Sequence, residues 1–376
     1  MKIEIIGSRG YPFSYASAED MVREFAPRLI RDGHFVTIHG WANYDKSIIG
    51  KKSDILDGVQ RKFHKTIKGK ISAQLIVALK SSISAALSDS DIVFYIFVNS
   101  AIFAWIPRAF GKKIFTNIDG IMWKDPKWPM GIRHVFFPLA SYFSIFIGKA
   151  ITDSYHMQQL YKHKFKVNID WIGYGCNLAS IERKQIELNN KYANGYYLIM
   201  SRITPHNLTD FMVNGFLKSN SKSHLVIAGH TPNNIWFKKL YNSCKNKNVT
   251  FLGLVKDQTY LSQIILNSKA YLHGHSLGGI NPALVRVTGM GKPVICVDTI
   301  FNREVVENPN NKLQAILFSR NLNSISHAIN EFESHENMYI NEAIKLQEKI
   351  KKTMSWEQIY KQYLEHWGRL ITKEMK

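Results

Sequence analysis

The sequence predicts an α/β protein of two doubly wound domains, and three observations lead to this prediction. A chain of 376 residues is long for a single hydrophobic core. Short, strongly apolar segments alternate with helical patterns, which is typical of parallel sheets covered by helices on both faces. A polar segment, residues 173–194, separates two such series. We therefore expect domains at residues 1–175 and 176–355, with a last helix at 356–376 that packs back on the first domain.

Apolar runs bounded by Gly, Pro or polar clusters mark the predicted strands. In the first series they are residues 2–7, 35–39, 59–64, 91–98, 113–118, 149–152 and 167–172. In the second series they are residues 196–200, 224–228, 249–252, 270–273 and 293–297. Helical patterns in the first series cover residues 17–31, 71–87 and the apolar segment 132–147. Doubly wound sheets bind ligands in loops at the carboxyl ends of strands, so we expect the site in the loops at 7–17, 117–127, 173–176, 201–208, 229–233, 273–281 and 298–304.

The composition indicates a folded protein in a reducing compartment. Apolar residues make up 45% and charged residues 21% of the chain. The three cysteines lie far apart with no CxxC spacing, so we expect neither a disulfide framework nor a zinc site. The N-terminal segment does not read as a signal peptide, and the longest apolar stretch, residues 135–147, is shorter than the roughly twenty residues of a transmembrane helix. We expect a cytoplasmic protein.

The formal net charge of +20 is spread over the whole chain. Residues 1–180 contain 24 Lys/Arg against 14 Asp/Glu, and the remainder has a similar excess. Such a field attracts anionic partners such as nucleotide sugars, lipid diphosphates or anionic membranes. No helix-turn-helix, zinc-finger or aromatic RNA-binding signature accompanies the charge, so nucleic acid is not expected. A solvated basic surface explains any single cluster equally well.

The most informative segment is residues 271–304, YLHGHSLGGINPALVRVTGMGKPVICVDTIFNRE. It reads as a strand end, a loop of small and polar residues, an apolar helix, a second strand and a polar loop. The helix opening at Asn281-Pro282 offers unpaired backbone N–H groups and a positive dipole end, a suitable pocket for a phosphate or diphosphate. An ordinary strand–loop–helix crossover has the same spacing.

The loop after the first strand, GSRGYPFSYASAED, argues against a dinucleotide cofactor. It is not GxGxxG, and no acidic residue ends the second strand. Arg9 and Gly10 are candidates to face an anion, although such loops are often structural. We find neither a pair of carboxylates suited to metal-assisted chemistry nor a His/Asp/Cys cluster, so no metal and no cofactor is expected.

Five stretches together resemble one family nearly end to end: IIGSRGYP with the following Glu19, REFAPRLIRDGHFVTI, GKKIFTNIDGIMWK, HGHSLGGINPALV and GKPVICVDTIFNREVV. A late Ser355-Trp356-Glu357 adds to them. The chain is similar to bacterial rhamnosyltransferase-like glycosyltransferases of the GT-B fold, in which two Rossmann-like domains face a cleft. The resemblance implies a transferase that moves a sugar, commonly rhamnose from dTDP-rhamnose, onto a lipid-linked oligosaccharide in O-antigen or capsule synthesis. It also implies retention of anomeric configuration.

The resemblance also implies roles for individual residues. Arg202 would neutralise the leaving diphosphate, and Glu304 would accept hydrogen bonds from sugar hydroxyls. Asp119 and Trp123 would line the acceptor or sugar side, and Asp119 is a second catalytic candidate. The remaining assignments are a donor site and an acceptor side: Gly10, His275, Ser276, Gly278, Gly279, Asn281, Pro282, Arg286 and Asn302 for the donor, and Ala16, Ser17 and Glu19 for the acceptor. Helix capping, core packing or a surface ion pair are the competing explanations for Asp119, Trp123 and Arg202.

The sequence departs from the family pattern at three places. Ala16-Ser17 stands where the family has two glycines, which adds side chains where backbone would approach a ligand. Arg286 replaces a glutamate that would bind the donor ribose, and a guanidinium cannot accept hydrogen bonds. His206 stands where an acidic residue is usual. These departures indicate a shifted donor or a weakened enzyme, and those at Ala16, Ser17 and Arg286 keep open a non-catalytic scaffold of a polysaccharide-synthesis complex. A sugar epimerase or phosphorylase is a further alternative, because it would use the same two-domain cleft.

The apolar helix predicted at residues 132–147 is a candidate membrane contact. It lies beside Lys124, Lys127 and Arg133 in the sequence, as expected for a protein that meets anionic lipid and a polyprenyl-linked acceptor. A core helix of the first domain is the competing interpretation.

Overall fold

The computed structural model describes residues 1–12, 17–125, 128–177, 182–308, 310 and 312–372. The chain divides into two compact units, Met1–Gly173 with Trp356–Lys376, and Tyr174–Ser355. Each unit contains one sheet with helices on both faces, of eight strands in the first and six in the second. The predicted α/β class with two doubly wound, Rossmann-like sheets is therefore confirmed.

The first sheet has the order β3-β4-β2-β1-β5-β6-β7-β8 and is parallel except for the antiparallel β3–β4 pair. Its strands are β1 (Lys2–Ile6), β2 (Phe35–Trp41), β3 (Ser53–Leu56), β4 (Val59–His64), β5 (Ile92–Tyr95), β6 (Lys113–Asn117), β7 (Lys149–Thr152) and β8 (Asp170–Trp171). Its helices are α1 (Ser17–Arg31), α2 (Lys70–Ala86), α3 (Val98–Ala101), α4 (Trp105–Ala109), α5 (Phe137–Ile147) and α6 (Tyr155–Phe165).

The second sheet is wholly parallel, with the order β11-β10-β9-β12-β13-β14. Its strands are β9 (Tyr196–Met200), β10 (His224–Ala228), β11 (Val249–Gly253), β12 (Tyr271–His273), β13 (Val294–Val297) and β14 (Ile316–Phe318). Its helices are α7 (Glu187–Lys191), α8 (Thr209–Lys218), α9 (Ile235–Ser243), α10 (Gln258–Asn267), α11 (Pro282–Gly289), α12 (Ile300–Val306), α13 (Leu322–Ser334) and α14 (Glu336–Thr353). The last helix of the chain is α15 (Trp356–Thr372).

The structure differs from the predicted elements at polar segments. The edge strand β3 was expected to be part of a loop, because its sequence SDIL is half polar. Strand β14 and helix α6 were not predicted. The polar loop predicted at residues 298–304 is wrong in part, because α12 begins at Ile300, where the Thr299 side chain accepts a hydrogen bond from the Asn302 N–H.

The order of strands fixes where ligands can bind. Strand order reverses between β1 and β5 in the first sheet and between β9 and β12 in the second. At such a switch point the loops from the two central strands diverge to opposite faces and leave a crevice at the carboxyl edge. In the second unit these loops are residues 201–208 and 274–281, two of the segments in which the sequence predicted the site.

The last helix completes the core of the first unit. Trp367 and Tyr363 of α15 are fully buried beside Phe25 of α1 and the sheet residues Phe94 and Phe115. Ring centroids lie 4.9 Å apart for Phe25–Tyr363, 5.6 Å for Phe94–Trp367 and 6.0 Å for Phe115–Trp367. Edge-to-face packing of this kind adds to the free energy of apolar burial.

None of the described helices is long and apolar enough to cross a bilayer.

Replacing Trp367 with Ala should lower the free energy of unfolding of the first unit by about 3–5 kcal/mol, because the change leaves a large cavity in the aromatic cluster. Urea denaturation followed by far-UV circular dichroism measures the effect. Trp105→Ala is the matched control, since that indole is 53% exposed and its loss should be nearly neutral. A loss below about 1 kcal/mol for Trp367→Ala would show that α15 does not complete the core.

Candidate functional site

The loop between β12 and α11, residues 274–281, contains glycines in a conformation that other residues rarely adopt. Gly278 and Gly279 have positive φ values of 33° and 80°, where a side chain would be strained. Asn281 caps α11, accepting a hydrogen bond from the Ala283 N–H at 2.9 Å, and Pro282 occupies the first turn. The helix thus begins where the sequence predicted, and its dipole favours an anion at this end.

The same loop is tied to the loop that follows β9. The His275 Nδ1 atom lies 3.1 Å from Asn207 Oδ1, and Ser276 Oγ donates to the His206 carbonyl at 3.3 Å. A Cβ atom on Gly274 would lie 2.2 Å from the Asn207 carbonyl oxygen, so only glycine allows this approach. Hydrogen bonds therefore join the two loops at the switch point, residues 201–208 and 274–281, to each other.

Asn207 was missed by sequence reasoning, although it holds both loops. Its Nδ2 atom donates to the Arg202 carbonyl at 2.7 Å while its Oδ1 atom faces His275. The side chain is nearly buried, so losing either partner would leave an unpaired amide. An asparagine that leads into a helix carries a local turn signal, but no such signal shows its contact with residues 274–281.

The backbone carbonyl of Arg202 accepts a hydrogen bond from Asn207, whereas the Arg202 side chain is exposed. Its guanidinium makes no hydrogen bond or ion pair within the described part of the chain. A fixed main chain with an uncommitted cation at the carboxyl edge suits a residue that meets an anionic ligand. Its assigned catalytic role stays a prediction.

Arg286 is engaged by the neighbouring helix α10. Its Nη1 atom donates to Gln258 Oε1 at 2.8 Å, and Nη2 donates to Ser262 Oγ at 2.9 Å and to the Gln258 carbonyl at 3.3 Å. Burial raises the pKa of the Cys176 thiol to about 12, and the positive charge of Arg286 opposes this rise. Arg286 therefore joins α11 to α10, and a role in donor binding stays a prediction.

Asn302 and Glu304, assigned to a donor loop, lie on helix α12 instead. Asn302 Nδ2 donates to the His275 carbonyl at 3.1 Å and to the Val297 carbonyl at 2.9 Å. The helix thus supports the loop at residues 274–281 from a second side. A helix fixes the direction of these side chains more firmly than the expected loop would, and their contact with a donor stays a prediction.

In the first unit, Glu19 stabilises the loop that contains Gly10. Its buried Oε1 atom accepts a hydrogen bond from the Arg9 N–H at 2.9 Å, and Gly10 has a positive φ of 147°. The Arg9 guanidinium lies 5.6 Å from the centroid of Trp41. Of the other acceptor-side candidates, Ala16 lies outside the described residues and the Ser17 side chain is not described, although Ser17 begins α1.

Trp123 lies in the core of the first unit. Its indole packs edge-on against Tyr161 at 5.5 Å and Phe165 at 5.9 Å between centroids, and Lys164 Nζ lies 5.5 Å from its ring. Core packing accounts for the contacts of this residue, and its assignment to the acceptor side stays a prediction.

Asp119 and Asp153 form a pair of carboxyl groups that sequence reasoning did not find. They follow the neighbouring strands β6 and β7, so the two side chains lie close enough for a proton on one carboxyl group to bond the other. The Asp119 N–H also donates to Asn117 Oδ1 at 3.0 Å. Burial raises the pKa of Asp119, and a hydrogen bond between two carboxyl groups requires a shared proton. The pair can therefore donate as well as accept hydrogen bonds.

Replacing Asp119 with Asn should increase the stability of the first unit progressively as pH rises. Because the folded-state pKa of Asp119 is raised, its protonated form stabilises the fold at low pH, and this contribution is lost as pH rises through the folded pKa. Asparagine keeps a donor toward Asp153 without the charge. Urea denaturation at pH 4.5 and pH 8 should show a larger gain at pH 8.

The control is Asp45→Asn. Hydrogen bonds from Ser47 lower the pKa of Asp45, so we expect this substitution to give no increase in stability as pH rises. Equal effects of Asp119→Asn at both pH values would contradict the shared proton.

The second unit is similar to a known protein family. A family model described as glycosyl transferases group 1 matches residues 181–353. No curated protein matches the sequence.

Solved structures resemble the chain along its whole length. Sucrose-phosphate synthase from Thermosynechococcus elongatus has 13% identity and a TM-score of 0.82, with 99% of each chain covered. Anabaena HepE in complex with UDP and glucose has 14% identity and a TM-score of 0.77, covering 98% of this chain and 99% of its own. A UDP-forming trehalose-phosphate synthase from Burkholderia xenovorans has 8% identity and a TM-score of 0.73, with 99% of each covered. Residues 181–353 are similar to the glycosyl transferases group 1 family, and the chain as a whole has the GT-B fold of these solved structures.

Proposed function

We propose that this chain transfers a sugar from a nucleoside-diphosphate donor to a lipid-linked oligosaccharide at the cytoplasmic face of a membrane, in the assembly of a cell-surface polysaccharide. One observation carries the proposal. An exposed guanidinium, Arg202, and the open N-terminus of α11 follow the two central strands of the second sheet, β9 and β12. Asn207 joins the two loops, so the backbone that carries Arg202 is fixed relative to the start of α11.

This arrangement supplies the chemistry of nucleotide-sugar cleavage. As the glycosidic bond breaks, negative charge develops on the leaving diphosphate. Fixed positive groups that meet this charge lower the barrier, because they need no reorganisation during the reaction. Arg202 offers a guanidinium that can bind two phosphate oxygens, and α11 offers backbone N–H groups. No metal or other cofactor is required for this stabilisation.

The donor we propose is dTDP-rhamnose, on the resemblance of the HGHSLGGINP segment to rhamnosyltransferase-like enzymes. A rival donor is UDP-glucose, since one structural relative was solved with UDP-glucose and another is described as UDP-forming. The two donors share the diphosphate that Arg202 and α11 would bind. The two donors differ in base and sugar, which other parts of the site must recognise.

Two alternative functions are compatible with the same fold. A GT-B epimerase or phosphorylase would also bind a nucleotide or sugar phosphate, and a non-catalytic scaffold would use the fold without turnover. The arginine at position 286 favours the scaffold, because its guanidinium is bonded to α10 where the family has a ribose-binding carboxylate. Products from a radiolabelled nucleotide sugar distinguish transfer, isomerisation, phosphorolysis and no reaction.

Helix α5 supports the membrane part of the proposal. One face, with Phe137, Ala140, Ser141 and Ser144, is buried in the first unit. The other face is also apolar: Val135, in the turn that precedes α5, and Leu139, Tyr142 and Phe146 are all exposed, Phe146 to 83%. The predicted core-helix interpretation accounts for the buried face, and the exposed apolar face supports the proposed membrane contact.

Basic residues flank this exposed stripe. Tyr142 lies 6.2 Å from Phe165 of α6, and Lys164 Nζ lies 5.6 Å from the Phe165 ring. Lys162 and Lys166 of the same region are exposed. An apolar stripe beside several lysines suits an anionic lipid surface, to which each basic residue adds about 1 kcal/mol.

Replacing Arg202 with Ala should reduce kcat for sugar transfer by about 10²–10³-fold or more, because a charge-stabilising group is lost in the transition state. Turnover is measured with dTDP-rhamnose and UDP-glucose, and binding of dTDP, UDP and GDP by thermal shift. Arg202→Lys should recover part of the activity, and Lys222→Ala, an exposed cation before β10, should match the wild type.

Wild-type turnover by Arg202→Ala would refute the assigned role of this residue. Failure of the wild-type protein to bind any of the three nucleotides would favour the scaffold.

Replacing Leu139 and Phe146 together with Ser should reduce sedimentation with phosphatidylglycerol vesicles at least about tenfold, because the apolar contact area is lost. High salt should reduce wild-type binding as well, through screening of the flanking lysines. Leu87→Ser, at a leucine 73% exposed elsewhere in the first unit, is the control. Binding that depends on neither salt nor the two substitutions would rule out this contact.

A further inference from the structure

Lys349 of α14 is partly buried, with its ammonium group against the end of α12. Its Nζ atom donates to the backbone carbonyls of Glu304 at 2.8 Å, Val305 at 3.1 Å and Glu307 at 2.6 Å. These three bonds use every N–H of the ammonium group. The last carbonyls of a helix have no partners within it, and a cation there also complements the helix dipole. Lys349 therefore satisfies and fixes the C-terminal end of α12.

The other end of α12 is bonded to the loop at residues 274–281. Asn302 Nδ2 donates to the His275 carbonyl, and the Asn302 N–H is capped by Thr299. Helix α12 consists of the seven residues from Ile300 to Val306 and is roughly 10 Å long. A rigid element this short transmits a shift at its C-terminal end directly to Asn302 at its N-terminal end.

We propose that Lys349 is a positioning residue of the donor site, which acts through α12 to set the loop at residues 274–281 and the carboxylate of Glu304. The inference rests on the proposed function and adds a residue that touches neither substrate nor reacting atoms. Under this proposal, an ammonium group on α14 determines the geometry of a site that is formed by the loops after β9 and β12.

The charge of Lys349 makes this positioning sensitive to pH. Burial lowers the pKa of Lys349 to about 8, and the carboxylates of Glu304 and Glu307 oppose this shift. Of the other charged groups on the adjoining helices, Arg303 of α12 is paired with Asp298 and Glu307, and Arg286 of α11 is bonded to α10. On α14 itself, Lys345 pairs with Glu342. A neutral amine above pH 8 retains two donors for three carbonyls and loses its attraction to the helix dipole.

The test compares Lys349→Met, Lys349→Arg and Lys345→Met in the full chain. Methionine keeps an unbranched side chain without donors, whereas arginine keeps a charge that does not titrate below pH 12. Lys345→Met removes an exposed lysine one turn earlier on the same helix. We expect Lys349→Met to raise the donor KM at pH 7 about tenfold with kcat within threefold, and Lys345→Met to match the wild type.

The pH profile separates positioning from a general loss of structure. From pH 7 to pH 9 the donor KM of the wild type should rise severalfold, while that of Lys349→Arg should stay constant. Hydrogen–deuterium exchange should show faster exchange at residues 300–306 and 274–281 in Lys349→Met, with unchanged exchange in the first unit. A merely structural role would lower thermal stability without this local pattern.

Unchanged exchange at residues 274–281 in Lys349→Met overturns the proposal, as does an equal rise of KM with pH in Lys349→Arg. Absence of transfer by the wild type, with the local exchange pattern present, would instead refute the proposed function and leave the coupling between Lys349 and the loop established.

Discussion

The side-chain amide of Asn207 is the contact on which the second unit's ligand site depends. Through it the loops after β9 and β12 become one body, since its nitrogen bonds Arg202 and its oxygen faces His275. Leaving a buried amide unpaired costs about 1–3 kcal/mol, so neither loop can move away cheaply. Gly274 makes this approach possible, because any Cβ atom there would collide with the Asn207 carbonyl. Preorganisation of this kind lets a cation and a helix end meet one diphosphate together.

How far the sequence predicts this structure depends on whether the signal is local. Asn281-Pro282 marks the start of α11 correctly, because an N-cap and an N-terminal proline act within one helical turn. The start of α12 was missed, since Thr299 caps a helix whose first residues are mixed in polarity and read as a loop. The Asp119–Asp153 pair could not be predicted, because two residues so far apart in sequence meet only through the adjacency of β6 and β7. The contacts of Asn207 and Lys349 have the same origin, since tertiary packing creates them.

The structure shows contacts of Arg286 that the sequence does not indicate. The sequence shows only that a hydrogen-bond acceptor for ribose is replaced by a cation. In the structure the cation bonds both the side chain and the backbone of Gln258, and also Ser262, so it holds α10 against α11. Loss of the carboxylate is thus accompanied by a gain in helix–helix contact. A substitution that stabilises the fold and removes a ligand contact is compatible with a donor that relies less on its ribose.

The net charge is +20, and the ion pairs show which arginines remain available to an anionic ligand. Many of the arginines are committed to carboxylates, for example Arg28 to Glu24 and Arg61 to Asp54. Among the arginines in the described ranges, the guanidinium groups of Arg202 and Arg320 make no hydrogen bond, ion pair or ring contact, and both residues follow strands of the second sheet at its carboxyl edge. A cation that must leave an internal partner loses that interaction when it binds an anion, whereas an uncommitted cation loses only hydration. The uncommitted arginines are therefore available to a ligand at the edge where β9 and β14 end.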